Sequence, residues 1–357
     1  MTEHDIAQSR LANQLLIKSG ALTPADVVKH LGAVQGQDYT GGEWSIGLRL
    51  PGLNLAHVQK AISEGKIVRT WALRGTLHFL AGTDTRWILE LLAPGIIAGL
   101  TRRYKELELD PATFRKTNSI LAKALKGNKQ LTRGELKAVI EKKGISCDGQ
   151  RMAFILQRAS LDRIICFGVT RERKQTHALF DEMVPRTKPK EREEGLAELA
   201  RRYFTSHGPA TIQDYVWWSG LRAPDANAGL EAVKPELDRV SIEDRTYWMP
   251  RHALEVNPRK PVARLLPPFD SFLIDYRDRS ASIQPAVLRF LRTGGLPDAT
   301  ILVDGKVAGS WKRTIRKDAV VIETRRFRRF DPREENELEA AVSRYADFVG
   351  KEPEWRR

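Results

Sequence analysis

Ser19-Gly20-Ala21-Leu22-Thr23-Pro24 is a stop followed by a restart. Upstream of it, Ile6, Leu11, Leu15 and Leu16 fall on one face of a helix covering roughly residues 6–18. Ser19-Gly20 ends that helix. Thr23 then offers an N-cap hydroxyl, and Pro24 a first helical residue whose missing N–H costs nothing. They open a second helix over about residues 25–34, with Val27, Val28 and Leu31 on its inner side. A third helix covers about residues 55–64 and stops at Gly65. Two β-rich pieces, residues 67–73 and 76–80, then flank Arg74-Gly75. Helix, helix, helix, hairpin is the order of a winged helix, a helix-turn-helix with a β wing.

The order recurs without a residue-level repeat. Residues 119–125 are helical, and Thr132 with Glu135 forms a capping box opening residues 133–143, closed by Gly144. Residues 150–160 supply the next helix, and strands at 164–169 and 176–180 enclose Arg171 to Lys174. A third pass has helices at 194–206, 211–218 and 226–233, with strands within 240–249. Beyond Pro250 the character changes. Residues 262–266, 301–303, 306–311 and 320–330 are β-like, Asp304-Gly305 is a strong hairpin turn, and residues 334–348 form a closing helix. The fold expected is α+β: three tandem winged-helix (helix-turn-helix) units plus a small C-terminal β domain. The boundaries expected are 1–110, 111–188, 189–258 and 259–357, with linkers at 185–190 and 257–261. A plain helical α+β enzyme is the alternative.

Lysine and arginine number 59 against 45 aspartates and glutamates, a net charge of +14. An excess of that size favours a polyanionic partner, because each neutralised phosphate releases condensed counterions. Apolar residues make up 41% of the chain, enough for true cores. Cys147 and Cys166 stand outside any CxxC pair or histidine cluster, so neither structural zinc nor a disulfide framework is expected. Residues 1–10 lack an apolar signal region, and the stretch at 87–100 is broken by Glu90, Pro94 and glycines. The expected partner is duplex DNA, with no metal, cofactor or membrane, and the expected setting is a monomer in the reducing cytoplasm, associated with the nucleoid.

Chemistry enters at Ala33-Val34-Gln35-Gly36-Gln37-Asp38-Tyr39. Gly36, with Gly41-Gly42 beyond it, marks the second helix as finished, and in an extended stretch residues two apart share a face. Gln35 and Gln37 would then point together into the concavity lined by the winged helices. Carboxamides do not titrate, so neither is a general base, but each can orient a water and place a dipole beside developing positive charge. That suits a substrate whose leaving group needs no acid, such as a guanine already cationic from N7 alkylation. The other reading is that both amides satisfy backbone groups in the turn.

Gln35-Gly36-Gln37-Asp38, Trp44-Ser45-Ile46-Gly47-Leu48-Arg49 and Arg74-Gly75-Thr76-Leu77-His78 resemble the AlkZ-like winged-helix DNA glycosylases. So do Leu265-Leu266-Pro267-Pro268-Phe269-Asp270, Tyr276-Arg277-Asp278-Arg279 and the stretch from Val303 to Arg313. The likeness runs in matching order over nearly the whole chain, and the paired glutamines are its specific part. It implies a monofunctional glycosylase that removes bulky N7-alkylated purines, the family type associated with resistance to azinomycin-type alkylators, some relatives unhooking interstrand crosslinks. It puts the catalytic pair on Gln35 and Gln37. Related members carry aspartate at the second position. Gly36 stands where the family's middle residue is usually aliphatic.

Around the pair, Arg49, Arg69, Arg74 and His78 are candidate DNA contacts, as are Lys306, Lys312 and Arg313 beside the Asp304-Gly305 hairpin. Each has a plainer reading as a solvated charge or, for His78, a packed histidine. Asp38, one residue from Gln37, is expected to point the other way, in a turn or capping role. The run Arg325 to Phe330 is either a basic DNA-facing strand or a solvated edge. Trp217-Trp218 reads largely as core and His207 as structural. A non-catalytic DNA-binding regulator, commonly a dimer reading a palindrome, is the competing function; it has no use for paired glutamines.

Overall fold

The computed structural model describes residues 2–17, 20–172, 174–242, 244–251, 261–290 and 298–357. The chain begins with α1 (Glu3–Asn13), capped by Thr2, and α2 (Pro24–Leu31), where Thr23 and Asp26 close a reciprocal capping box. A two-residue strand β1 (Val34–Gln35) leads to α3 (Tyr39–Gly47) and α4 (Leu55–Ser63). The hairpin β2 (Ile67–Trp71) and β3 (Leu77–Ala81) turns through Leu73–Gly75, followed by α5 (Gly82–Gly99) and α6 (Thr101–Glu106).

Next come α7 (Pro111–Leu125), β4 (Leu131–Thr132), α8 (Arg133–Glu141) and α9 (Arg151–Leu161). The strands β5 (Ile165–Arg171) and β6 (Lys174–Leu179) pair as a hairpin, and β4 adds to the free side of β6. A short α10 (Phe180–Met183) precedes residues 185–190, which carry neither helix nor strand. Then follow α11 (Arg192–His207), α12 (Ile212–Ser219), α13 (Ala223–Val233) and the hairpin β7 (Leu237–Ile242) and β8 (Arg245–Pro250). A group of helices and then a hairpin thus recur in order, four helices (α1–α4) in the first pass and three in each of the next two, the second helix of each opened by a threonine cap: Thr23, Thr132 and Thr211.

The C-terminal part is different. It comprises β9 (Ala263–Leu266), the short helices α14 (Ser271–Ile274) and α15 (Pro285–Leu288), and β10 (Thr300–Val303), β11 (Lys306–Ile315) and β12 (Ala319–Arg326). The chain closes with α16 (Pro332–Val349) and β13 (Glu352–Arg356). The sheet order is β9-β10-β11-β12-β13, antiparallel except for the parallel β12/β13 edge. Of the second linker stretch, residues 257–260 lie outside the described residues.

The chain divides into two compact units, Met1–Gln59 with Leu196–Arg357, and Lys60–Gly195. In the second, α7, α8 and α9 close on Leu121, Leu136, Ile140, Met152, Ile155 and their neighbours. In the first, α16 covers the five-stranded sheet, and Tyr345 brings its ring edge against both Trp44, 4.9 Å away, and Trp311, 5.1 Å away. Each of those tryptophans donates its indole N–H, at 2.7 Å, to the carbonyl of Leu265 or Leu266 on β9. Cys147 and Cys166 are both buried thiols. Among the described residues no helix is long and apolar enough to cross a membrane.

Two helices run through residues that locally signal a break. Gly41-Gly42 signals a break, yet α3 runs through both glycines. Glycine in a helix interior costs roughly 1 kcal/mol relative to alanine, and burial of Trp44 and Ile46 outweighs it. Gly47 is needed for that packing: a Cβ there would overlap the Phe348 ring. Likewise α5 continues through Pro94, with Trp87, Ile88, Leu89 and Leu92 buried along it. Of the tryptophan pair, Trp218 is core, whereas Trp217 is 43% exposed.

Candidate active site

The two glutamines sit in the turn that feeds α3. The Gln35 side-chain oxygen accepts from the backbone N–H of Gly36 at 2.9 Å and of Gln37 at 3.2 Å. Because two donors face that end of the carboxamide, its oxygen must lie there, and the orientation of the amide is set. Gln35 is half-buried and Gln37 is exposed. One amide is therefore clamped by its own turn while the next presents itself to solvent. Asp38 follows at the N-cap position of α3.

The turn is fixed from behind. Ser45 on α3 donates to Asp270 at 2.7 Å, and Arg49 just beyond α3 grips the same carboxylate through two nitrogens, each at 2.9 Å. Arg49 also donates to the backbone and side-chain carbonyls of Gln14 and to the Ser45 carbonyl. Burial opposes the charge on Asp270, but the Arg49 guanidinium and the hydrogen bonds hold its carboxyl below the usual range. Two of the stretches that carried the resemblance, 44–49 and 265–270, are thus bonded to each other. Tyr276, from a third, donates to the His207 carbonyl and accepts from Gln14.

Arg49 is therefore corrected. It is fully buried against Asp270, so it serves the frame of α3 and has no surface to offer DNA. Arg69 is also corrected: its guanidinium is buried, donating to Gln175 at 3.1 Å and lying 4.4 Å over the Phe167 ring, a tie between the β2/β3 and β5/β6 hairpins. His78 is buried on β3 opposite Thr70, with Nδ1 3.1 Å from the Thr76 carbonyl. It is a packed histidine here. Arg74 stays partly exposed at the hairpin turn, with φ 56°. Lys306 is half-buried beside the β10/β11 turn, and Lys312 is exposed.

Arg313 reaches the residues that follow the glutamines. It donates to the Thr40 hydroxyl at 2.8 Å and pairs with Asp38 at 3.6 Å. Asp38 accordingly anchors a cation at the start of α3. In the run Arg325 to Phe330, Arg326 and Arg328 pair with Glu335 and Glu334 of α16, which favours the solvated-edge reading for those two. His207 is held between Ser206 and Asp275 and stacked on Tyr203, a structural arrangement.

Sequence reasoning passed over Glu43. It lies on α3, only 2% exposed, and accepts from the Gln59 amide at 3.2 Å. Burial pushes its carboxyl up to about 7, against hydrogen bonds from Gln59 and Tyr39 and the charge of Arg313 that work to lower it. The available signal was a carboxylate set between Gly42 and a core tryptophan. Among the described residues, no three His, Cys, Asp or Glu side chains gather as a metal cage.

A family model described as DNA glycosylase AlkZ-like matches residues 28–348, nearly the whole chain. The chain belongs to the AlkZ-like DNA glycosylase family. It is a DNA glycosylase, and that decides between a hydrolase and a non-catalytic regulator. It is 26% identical over 321 residues to a Streptomyces sahachiroi protein named interstrand DNA cross-link repair glycosylase, covering 85% of each chain. Its fold matches the solved structure of Streptomyces sahachiroi DNA glycosylase AlkZ with a TM-score of 0.80 and 23% identity, over 100% of this chain and 99% of that one. The α+β architecture of this AlkZ-like chain is thus that of a glycosylase of known structure.

Proposed function

We propose that this AlkZ-like glycosylase hydrolyses the N-glycosidic bond of N7-alkylated purines in duplex DNA, with Gln35 and Gln37 as its catalytic residues. The alkylated base is already a cation, so it departs with the bonding electron pair as a neutral purine and needs no acid. The sugar left behind carries oxocarbenium character at C1′. A water must then be held about 3 Å from that carbon, on the face opposite the leaving base, which is a positioning task. Gln35, its amide oriented by the turn, offers a fixed dipole beside the developing positive charge. Gln37, exposed beside it, offers a carbonyl oxygen to a water proton and to the sugar cation. The water oxygen bonds to C1′, and its surplus proton passes to solvent.

The observation that carries this reading is the clamped Gln35 oxygen, which orients one amide and leaves the next facing solvent. Arg74, Lys306, Lys312 and Arg313 are the proposed DNA contacts, the protein acting as a monomer in the cytoplasm, associated with the nucleoid. The same displacement at one arm of an interstrand crosslink would unhook it, in keeping with the name of the Streptomyces sahachiroi relative. Incubation with duplexes carrying N7-methylguanine, a bulky N7 adduct or an N7–N7 crosslink, followed by alkali, tests the reading. Strand breaks at the adduct are expected; tight binding with no breaks for any adduct would overturn it.

A phosphate-contacting lysine contributes to affinity through counterion release. Lys312→Ala is expected to weaken binding alike for damaged and undamaged duplex. The slope of log affinity against log salt should fall by about 0.9, the increment for one phosphate. Fluorescence anisotropy over a salt series measures both. An unchanged slope would remove Lys312 from the interface.

A further inference from the structure

Glu43 has neighbours that a merely buried acid would not need. Asp38, Tyr39 and Glu43 belong to the first turns of one helix, immediately after Gln37. From α4, Gln59 donates to the Glu43 carboxyl. From β11, Arg313 bonds Thr40 and pairs with Asp38, the two residues that bracket Tyr39. From α16, Tyr345 stands within electrostatic reach of Arg313, Asp38 and Glu43. One guanidinium therefore pairs with Asp38 and also acts on the charge of the buried Glu43 carboxyl. The Arg313 Nη1 is buried with no hydrogen-bond partner among the described residues, so that cation has a donor to redirect.

We propose that Glu43 is a positioning residue for base excision: as a neutral acid it leaves Arg313 to clamp Asp38 and Thr40, and as a carboxylate it draws Arg313 away and slackens the Gln35-Gly36-Gln37 turn. The inference rests on the reading of Gln35 and Gln37 as the catalytic pair. An ionised Glu43 would be a buried anion beside the Asp38 carboxylate, and such a charge recruits the nearest cation able to pair with it. Arg313 is that cation, and a swing of its guanidinium toward Glu43 would lengthen the contacts that its Nη2 makes to Asp38 and Thr40. Burial holds the Glu43 proton up to about pH 7, so the exchange falls in the neutral range.

Single-turnover excision of N7-methylguanine from duplex DNA, measured from pH 6 to pH 8.5, tests this with the wild type and Glu43→Gln. Glutamine is nearly isosteric and cannot ionise. The titration of the alkylated base is common to both proteins and cancels in the ratio of their rate constants. With a group titrating near 7, the neutral fraction falls more than tenfold across this range. The variant-to-wild-type ratio is expected to rise by about tenfold between the two limits, and a ratio constant within twofold would overturn the proposal.

Thermal unfolding gives a second readout. The folded Glu43 binds its proton more tightly than the unfolded chain, whose carboxyl titrates near 4.5. Its contribution is fully present below pH 4.5 and is lost as pH rises through 7. Wild-type Tm should accordingly fall relative to Glu43→Gln over that interval, and parallel Tm curves would count against the proposal. Gln35→Ala and Gln37→Ala, assayed alongside, keep the two readings apart. If they still excise, the catalytic pair fails; if they do not and the ratio is flat, only the role of Glu43 fails.

Discussion

Replacing Gln35 or Gln37 with alanine should lower single-turnover excision of N7-methylguanine at least about tenfold each, the scale of losing one positioned polar group, while affinity for the duplex changes little. The two positions should fail in different ways. Gln35 accepts from the N–H groups of Gly36 and Gln37, so Gln35→Ala removes the amide and also the acceptor that shapes the turn. Gln37 is exposed and ends no such ring, so Gln37→Ala removes a dipole and leaves the backbone bonds in place. Gln37→Glu keeps an acceptor beside the sugar cation and should retain more activity than Gln37→Ala. Gln35→Glu puts a carboxylate where two N–H groups already point and replaces the oriented amide dipole with a charge, and it should lose activity. A double alanine variant that cuts normally would remove the catalytic assignment and leave the turn as architecture.

The second large effect concerns Arg49. Its side chain and that of Asp270 are both fully buried and joined by two parallel hydrogen bonds. Removing one member of such a pair strands the other charge in the interior, a loss of about 3–5 kcal/mol. Arg49→Ala is therefore expected to lower the stability of the unit formed by Met1–Gln59 and Leu196–Arg357 by that amount in urea unfolding. Excision should fail because α3 loses its anchor, and the defect should track the fraction unfolded. Arg49→Lys keeps the charge but not the fork and should recover only part of the stability. A DNA-contacting arginine would behave oppositely, with a normal unfolding curve and weakened, salt-sensitive binding. The pair also sets an acid limit. Asp270 is held below its ordinary 3.8, so its contribution is present above that value and is lost as pH falls below it.

The threonine caps at Thr23 and Thr132 were legible because each bonds a residue three positions on, within the local chain, and Thr211, read as a helix start, caps its helix in the same way. The Asp304-Gly305 turn was legible for the same reason, as both residues take a positive φ that asparagine, aspartate and glycine accept best. The glutamine turn was legible as a turn, and its hydrogen bonds span no more than two residues. Family resemblance added the order of the motifs and the chemistry attached to them.

What local reading missed has one physical origin. An arginine in a basic chain reads as surface, and only a partner elsewhere makes burial affordable. Arg49 and Asp270 stand 221 residues apart, and Arg69 finds Gln175 at a separation of 106. The glycines of α3 oppose a helix locally, and the surface buried by Trp44 against α16 overrides them. Glu43 gains its tightly held proton from the same packing, which withdraws its carboxyl from water. The sequence by itself determined where the threonine-capped helices begin, where hairpins turn and where two amides stand two residues apart, since those depend on neighbours in the chain. Only the tertiary structure decided which charges are buried, which helix carries the glutamine turn and which acid stands behind it, because the energy of a buried charge is set by groups hundreds of residues away.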